Sequence, residues 1–600
     1  MKKKIIEKSY RIVRYYRENG LIRFCRHVIA KIFHMEEMSY NRWRRKHRLN
    51  KEEIIEQRNK EFEYQPLISI LVPLYCTPLE YLQELVRSIQ NQTYQNWELC
   101  LSDGSGVGKL SHDYLDKCIN ADSRIKLVTS DKPLSISENT NRALKIASGA
   151  YIAFADHDDL LEINTLYECV KVLNDYPEVE IIYTDEDKVS MNGKSYFQPH
   201  FKSDYNLDLL RSMNYICHFF MVKKEIQQNV GLLREEYNGA QDYDFILRCI
   251  EKSQHIFHIP KILYHWRAHQ DSTAENPESK LYAFEAGKRA IDAHLKRCKE
   301  NASVEMGGYL GLYRVKYWME KEPKVTILIP NKDHIEDLKR CIQSLYEVSD
   351  YKNFEIIIIE NGSKEEDTFD YYKKISNKYT EIKIVEWSGE NGFNYSALNN
   401  YGVRFAKGDY ILFLNNDTEI INADSIREMV SHIMRADVGA VGARLYYPDG
   451  SIQHAGVILG LGGIAGHAFR EFSNNANGYF SRIICTQDYS AVTAACMMMS
   501  KSLFNKIGGF DEQLKVAFND IDLCMKIRKL GKWIVYTPYA ELYHYESKSR
   551  GLENTKEKVE RFNSEIEYFS KKWKKELEAG DPYYNPNLTL EKHDFSLKIL

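Results

Sequence analysis

Two stretches of this chain carry the same residues at the same spacing, 257 to 259 positions apart. Pro73 is followed 30 residues later by Asp103, in Leu-Cys-Leu-Ser-Asp-Gly-Ser; Pro330 is followed 30 residues later by Glu360, in Ile-Ile-Ile-Glu-Asn-Gly-Ser. The first copy continues with Ser148-Gly-Ala-Tyr-Ile-Ala-Phe-Ala-Asp-His-Asp158, the second with Lys407-Gly-Asp-Tyr-Ile-Leu-Phe-Leu-Asn-Asn-Asp417. Each then has an acidic pair and a later histidine: Asp242, Asp244 and His265; Asp520, Asp522 and His544. A pattern kept over this length predicts one fold used twice. It overrides the count of about three or four domains that length alone would imply. The expected organisation is a basic helical segment over 1–62, a first domain over 63–300 and a linker over 301–322. A second domain over 323–575 and an extended or mobile arm over 576–600 complete it.

Within each copy, short apolar runs alternate with amphipathic segments. Leu67–Val72, Trp97–Leu101, Ile125–Val128 and Tyr151–Ala155 predict strands in the first copy; Val325–Ile329, Phe354–Ile359 and Tyr410–Leu414 predict them in the second. Such alternation predicts a mostly parallel α/β sheet with Rossmann-like topology. Ligands of these sheets bind beyond the carboxyl ends of the strands, where Asp103 and Asp156 fall.

Bulk composition narrows the class. With 28% charged residues and ordinary apolar content, the chain reads as a soluble globular protein. The twelve cysteines lack metal-type or disulfide-framework spacing and read as thiols of a reducing compartment. No signal-peptide pattern and no apolar run of about 18 residues stands out. The expectation is therefore a cytoplasmic protein whose membrane contact, if any, is peripheral, with no nucleic-acid partner. The net charge of −3 hides fifteen Lys or Arg against four Glu in residues 1–48. Basic amphipathic helices there fit either an anionic membrane surface or docking on the first domain. Trp43, inside the basic cluster, tilts the reading toward the membrane.

The strand-end acids carry the chemistry. Carboxylates at Asp156 and Asp158 suit a hard divalent cation, which in turn binds a diphosphate. A lone Asp-x-Asp is usually a turn, but its recurrence after the same Gly-x-Tyr-Ile-x-Phe strand favours function. Because the second copy reads Asn415-Asn416-Asp417, the shared Asp158 and Asp417 are the stronger metal candidates; Asp156 and Asn415 are assigned to ribose or water-bridged contact. Asp103 and Glu360 suit a nucleobase or ribose, and equally a turn. Pro73 with Tyr75, and Pro330, lie at the same edge and are assigned with them to nucleotide binding. Asn141 and Asn400 match when counted from the shared glycine. They open helices that favour phosphate, although Asn is also an ordinary cap. Asp242 and Asp520 are the preferred general bases, a role worth about 10²–10⁴ in rate. His265, in Leu-Tyr-His-Trp-Arg267, and His544, in Leu-Tyr-His-Tyr-Glu546, are expected metal or diphosphate ligands, with Arg267 offering a phosphate contact.

In this order, the Asp-x-Asp element, the acidic pair opening a helix and the later His resemble family 2 glycosyltransferases of the GT-A fold. The likeness covers roughly 66–300 and 323–575. Gly442-Ala-Arg-Leu-Tyr-Tyr-Pro-Asp-Gly-Ser-Ile-Gln-His-Ala-Gly456 and Ala517-Phe-Asn-Asp-Ile-Asp-Leu-Cys524 make the second half similar to bacterial polysaccharide and O-antigen transferases. Tyr183-Thr-Asp-Glu-Asp-Lys188 and Tyr264-His-Trp-Arg267 tie the first half to the same tandem group. The resemblance implies two GT-A domains, a nucleotide-sugar donor such as dTDP-rhamnose or a UDP-hexose, Mg²⁺ or Mn²⁺, and inversion at the anomeric carbon. It implies a lipid-linked or polysaccharide acceptor at the cytoplasmic face of the membrane, with one transfer per domain. One rival makes one domain an acceptor- or partner-binding module. A sugar nucleotidyltransferase would need a Gly-rich basic loop where Pro73–Pro78 and Pro330–His334 stand, and a scaffold gives no reason for two matched acid–histidine sets.

Overall fold

The computed structural model describes residues 35–110, 113–268, 281–389, 393–545 and 555–598. Each half builds one sheet. In the first, β1 (Ile68–Leu74), β2 (Trp97–Asp103), β3 (Ile125–Thr129) and β4 (Tyr151–Phe154) run parallel. The later strands are β5 (Leu160–Leu161), β6 (Ile181–Ser190), β7 (Tyr196–His200), β8 (Phe220–Lys223) and β9 (Ile256–Ala268). β8 runs antiparallel to β4 and β6, β9 runs parallel to β6, and β5 runs antiparallel to β9. The expectation of a mostly parallel sheet thus gives way to a mixed one, ordered β3-β2-β1-β4-β8-β6-β9-β5.

A hairpin of β10 (Ala302–Met306) and β11 (Tyr313–Tyr317) follows. Val304, Leu312, Tyr313 and Val315 pack into the first domain's core beside helix Leu281–Arg297, so the segment expected as a linker is folded onto that domain. The second sheet comprises β12 (Val325–Asn331), β13 (Phe354–Glu360), β14 (Ile382–Glu386), β15 (Tyr410–Leu414), β16 (Thr418–Ile420) and β17 (Val438–Tyr446). After them come β18 (Ile452–His454), β19 (Val457–Leu459), β20 (Ala465–His467), β21 (Gln487–Asp488), β22 (Cys496–Ser500) and β23 (Trp533–His544). Its order, β14-β13-β12-β15-β22-β17-β23-β16, reproduces the first strand for strand.

Part of the repeated sequence is scaffold at the opposite sheet edge. Glu98 accepts from Ser69 Oγ and the Ser148 backbone, as Glu355 does from Thr326 Oγ1 and the Lys407 backbone. Those hydrogen bonds, together with Lys126, hold the Glu98 carboxyl down at about 2 against its burial. The shared glycine serves this corner. A Cβ on Gly149 would meet Leu67 O at 2.6 Å, and one on Gly408 would meet Lys324 O at 2.6 Å.

Helix α1 (Met35–His47) docks on the first domain. Trp43 is buried, edge-on to Phe201 at 5.1 Å, and Tyr40 donates to Asp187 Oδ2 at 2.5 Å. For this helix, docking on the domain replaces the membrane orientation that Trp43 favoured; the basic segment before it lies outside the described residues. Among those residues, no helix is long and apolar enough to cross a membrane.

The two domains share a polar, buried contact. Arg435 pairs with Asp208 at 2.6 Å, Asn206 exchanges bonds with the Asp488 backbone, and Tyr479 donates to Pro199 O. The final segment is not a free arm but a strap across this contact. Asn585 donates to Asp185 and to Lys202 O in the first domain, while Phe595 stacks on Phe469 in the second at 4.5 Å.

Candidate active site

In the second domain, residues from separate stretches converge at the carboxyl edge of the sheet. Pro330 from β12, Asn415 and Asp417 beyond β15, Asp520 from helix α2 (Asn519–Arg528) and His544 from β23 line one cavity of about 550 Å³. That volume falls within the range of small-molecule sites. His544 Nδ1 meets Gln453 Oε1 at 2.6 Å, while the Gln453 amide nitrogen reaches the His544 carbonyl at 3.4 Å, fixing which way the amide points. With its proton on Nδ1, His544 turns the Nε2 lone pair toward Asp417 Oδ1 at 3.2 Å and Asn415 Nδ2 at 3.1 Å. Two acceptors that face each other at this distance are relieved by a cation between them. A ring nitrogen whose partner N–H is held by a carbonyl is the usual setting of a metal-bound histidine. The Asp417 carboxylate and the His544 imidazole therefore fit a divalent cation such as Mg²⁺ or Mn²⁺, while the Asn415 amide nitrogen, a donor, hydrogen-bonds to Nε2 without one.

Asp520 opens α2, whose N-terminal dipole favours a carboxylate. Its Oδ2 accepts from the Ala494 backbone at 3.1 Å and its Oδ1 from Ile521 N at 2.9 Å. Each oxygen keeps acceptor capacity. Asp522, two residues on, is buried and held by Lys572 at 2.6 Å, Lys526 at 3.0 Å and Trp573 Nε1 at 2.8 Å. In the first domain Asp242 likewise stays near the surface, accepting from Asn214, while Asp244 is buried against Arg248 at 2.8 Å. The first acid of each pair faces the site edge and the second anchors the helix.

Other matched residues are spent on structure. Asn141 bridges both backbone groups of Leu233, at 2.8 and 2.9 Å; Asn400 bridges both backbone groups of Phe510, each at 3.0 Å. The structure does not bring either to a phosphate position. Each ties a helix to the loop leading into the acidic pair. Glu360 is buried and accepts from Ser363 and from Tyr372 OH at 2.6 Å, whereas Asp103 takes Ser105 N at 2.9 Å, the turn arrangement. Pro73, next to last in β1, pairs with Ser102, and Tyr75 stands 51% exposed just beyond the strand. Arg267 is enclosed by Glu84 at 2.6 Å, the Asp158 carbonyl and the Tyr81 ring, so no phosphate contact is open to it.

The two histidines are not equivalent. Phe154 and Phe413 occupy the same place, opposite Phe220 and Met497. From these, Phe220 leads through Tyr183 to Asp187, opposite His265, and Met497 leads through Gly442 to Tyr446, opposite Tyr543. The β5–β9 and β16–β23 ladders agree, pairing Leu160 with His265 and Glu419 with Tyr543. The counterpart of His544 is thus Trp266. A one-residue slip turns a side chain to the other face, so His265 points away from Asp158. It lies buried between Asp187 Oδ1 at 2.5 Å and Glu162 Oε2 at 3.2 Å, with Arg44 of α1 beside it. Asp187 and Glu162 overcome the effect of burial and raise the imidazole to about 9. The expected ligand role of His265 is corrected to that of an anchor for α1.

Two cavity residues escaped the search for duplicates. Gln453 fixes His544, and His467 lines the cavity with its ring against buried His454, Nδ1 to Nδ1 at 3.2 Å. Burial, with the His467 and His544 rings close by, pushes the His454 imidazole well below its ordinary value. The Gln453-His454-Ala-Gly456 run signalled Gln453 and the His454 that His467 packs on, but it has no partner in the first copy.

The model of the Glycosyl transferase family 2 matches residues 69–231 and 326–508. The uncharacterized protein y4gI of Sinorhizobium fredii is 44% identical over 540 residues, 89% of this chain and 58% of that protein. The O-antigen biosynthesis protein RfbC of Myxococcus xanthus is 34% identical over 535 residues, 89% of this chain and 41% of that protein. The chain spans about half the length of these curated relatives. A solved mannosyltransferase of Pyrobaculum calidifontis, in complex with GDP-Man and Mn²⁺, is similar at 17% identity and a TM-score of 0.30, over 46% of this chain and 70% of that one.

Proposed function

The chain belongs to glycosyl transferase family 2, and we propose that it transfers sugar from a nucleotide-sugar donor to a growing bacterial surface polysaccharide, with inversion at the anomeric carbon. The convergence of Asn415, Asp417, His544 and Asp520 on one cavity of about 550 Å³ carries this reading. Asp417 and His544 would hold a divalent cation, with Asn415 beside them. When bound, that cation supplies positive charge to the diphosphate of the donor. Asp520, fixed by two backbone N–H groups, takes the proton of the attacking acceptor hydroxyl. Asp242 has the same place in the first domain, so each domain has a candidate base and the chain a capacity for two transfers.

Asp520→Asn keeps an acceptor oxygen for the Ala494 N–H and removes the basicity. It should lower transfer by about 10²–10⁴ and leave donor binding unchanged. Full transfer of every sugar by Asp520→Asn would refute the assignment in the second domain, and by Asp242→Asn in the first. Ten Lys or Arg against two Glu in residues 1–34 support contact with an anionic cytoplasmic leaflet, where a lipid-linked acceptor would sit. Deleting residues 1–34 should release the protein from anionic liposomes; unchanged cosedimentation would remove that part of the reading.

A further inference from the structure

If Trp266 holds the place of His544, the first domain lacks an imidazole where the second has one. Another histidine reaches the same carboxylates from the other side. His218 lies two residues before Phe220, so it matches Ala495, two before Met497, and Ala495 lines the second-domain cavity. Its Nε2 stands 3.8 Å from Asp156 Oδ2. The ring stacks on Tyr264 at 5.0 Å and meets Trp266 edge-on at 6.3 Å; Tyr264 and Trp266 are on the face that His265 leaves. The Cys217 sulfur lies 3.0 Å from each ring nitrogen.

The segment carrying His218 is held on both sides by buried charge. Its backbone N–H donates to Glu186 Oε2 at 2.6 Å. Its carbonyl, and that of Ile216, accept from Lys202 Nζ. Lys202 is fully buried and pairs with Glu186 at 3.2 Å. A surface histidine in a turn needs no such support. A histidine that must present a nitrogen beside a carboxylate does, because a ligand is only as well placed as the groups behind it.

We infer that His218, not His265, is the imidazole with which the first domain holds a divalent cation beside Asp156 and Asp158. The two domains then share one acid position, Asp158 and Asp417, the first keeping Asp156 where the second has Asn415, and take their histidine from different strands: the approach to β8 in the first domain, the end of β23 in the second. The inference rests on the proposed nucleotide-sugar reading and adds a ligand that the duplication conceals. The first domain thus carries His218 and Trp266 at the positions of Ala495 and His544 in the second.

Titration of Mn²⁺ alone into the full chain, followed by the electron spin resonance of free Mn²⁺, tests this without reference to transfer. In a His544→Ala background, which isolates the first site, His218→Ala should weaken Mn²⁺ binding about tenfold or more. His265→Ala should leave it unchanged. Trp266→His added to His218→Ala should restore binding, because it installs the imidazole where the second domain has one. That recovery also distinguishes a lost ligand from a damaged fold. Unchanged affinity in His218→Ala, or a loss in His265→Ala while circular dichroism stays native, overturns the inference and leaves the second site standing. Absence of Mn²⁺ binding by the unmodified chain overturns the metal reading of both sites.

Discussion

Asn400→Ala separates two readings of the same residue. As a phosphate contact it would matter to the donor; as the bridge seen here it matters to the fold. The side chain donates to Phe510 O at 3.0 Å, accepts from Phe510 N at 3.0 Å and donates to Glu512 Oε1 at 3.0 Å. A net hydrogen bond is worth about 1 kcal/mol, and stripping the partner from a buried group costs about 1–3 kcal/mol, so losing this bridge should cost about 3 kcal/mol. In a domain of about 250 residues that lowers the apparent melting temperature by about 6–12 °C. The assay pairs thermal unfolding followed by circular dichroism with calorimetric titration of a nucleoside diphosphate in the presence of Mn²⁺. The expected result is the full thermal shift with donor affinity within about twofold, which is under 0.5 kcal/mol. An unchanged melting temperature with a tenfold loss of affinity would refute the argument and return Asn400 to the phosphate.

Three further outcomes follow from the packing. His265 is raised to about 9 from an ordinary 6.5 and Glu162 lowered to about 2 from 4.5. A raised histidine stabilises fully below its unfolded value and loses the effect as pH rises through the folded one. A depressed carboxylate stabilises above its unfolded value and loses the effect as pH falls. Urea unfolding should therefore show the first domain most stable between about pH 4.5 and 6.5 and progressively less so toward pH 9, a dependence that His265→Ala abolishes. Trp43→Ala, by the range for buried aromatics, should cost about 3 kcal/mol and expose the 48–62 segment to limited proteolysis, with no change in liposome binding. Truncation after residue 575 removes the Asn585 and Phe595 contacts; small-angle scattering should then report a larger radius of gyration, with the two domains melting as separate transitions.

Much of the fold was legible in local pattern. Strands such as β2 and β13 are buried along their whole length and largely apolar because parallel strands with helices on both faces are buried on both, and Asp103 and Glu360 mark where they end. The antiparallel β8 and β22 carry no comparable signal, since orientation is a relation between strands. Duplication was a weaker guide to chemistry than it looked. It weighs all conserved positions alike, so it marked Asn141 and Asn400, which bind loops, as readily as Asp158 and Asp417. It passed over Gln453 and His467, which serve one copy only. One clue was countable: His265 lies 23 residues after Asp242, but His544 lies 24 after Asp520.

That single residue marks the boundary between the two kinds of information. By itself the sequence determined that there are two α/β units, where the carboxyl edge of each sheet falls and which acids stand there. Apolar runs and strand-end acids are properties of a few consecutive residues. The face on which a side chain emerges belongs to the ladder. In a strand it alternates with every position, and the β6–β9 and β17–β23 registers place His265 opposite Asp187 and Tyr543, not His544, opposite Tyr446. The same Leu-Tyr-His letters therefore put one histidine beside an acid of the site and bury the other under the N-terminal helix. Only the tertiary structure decided which.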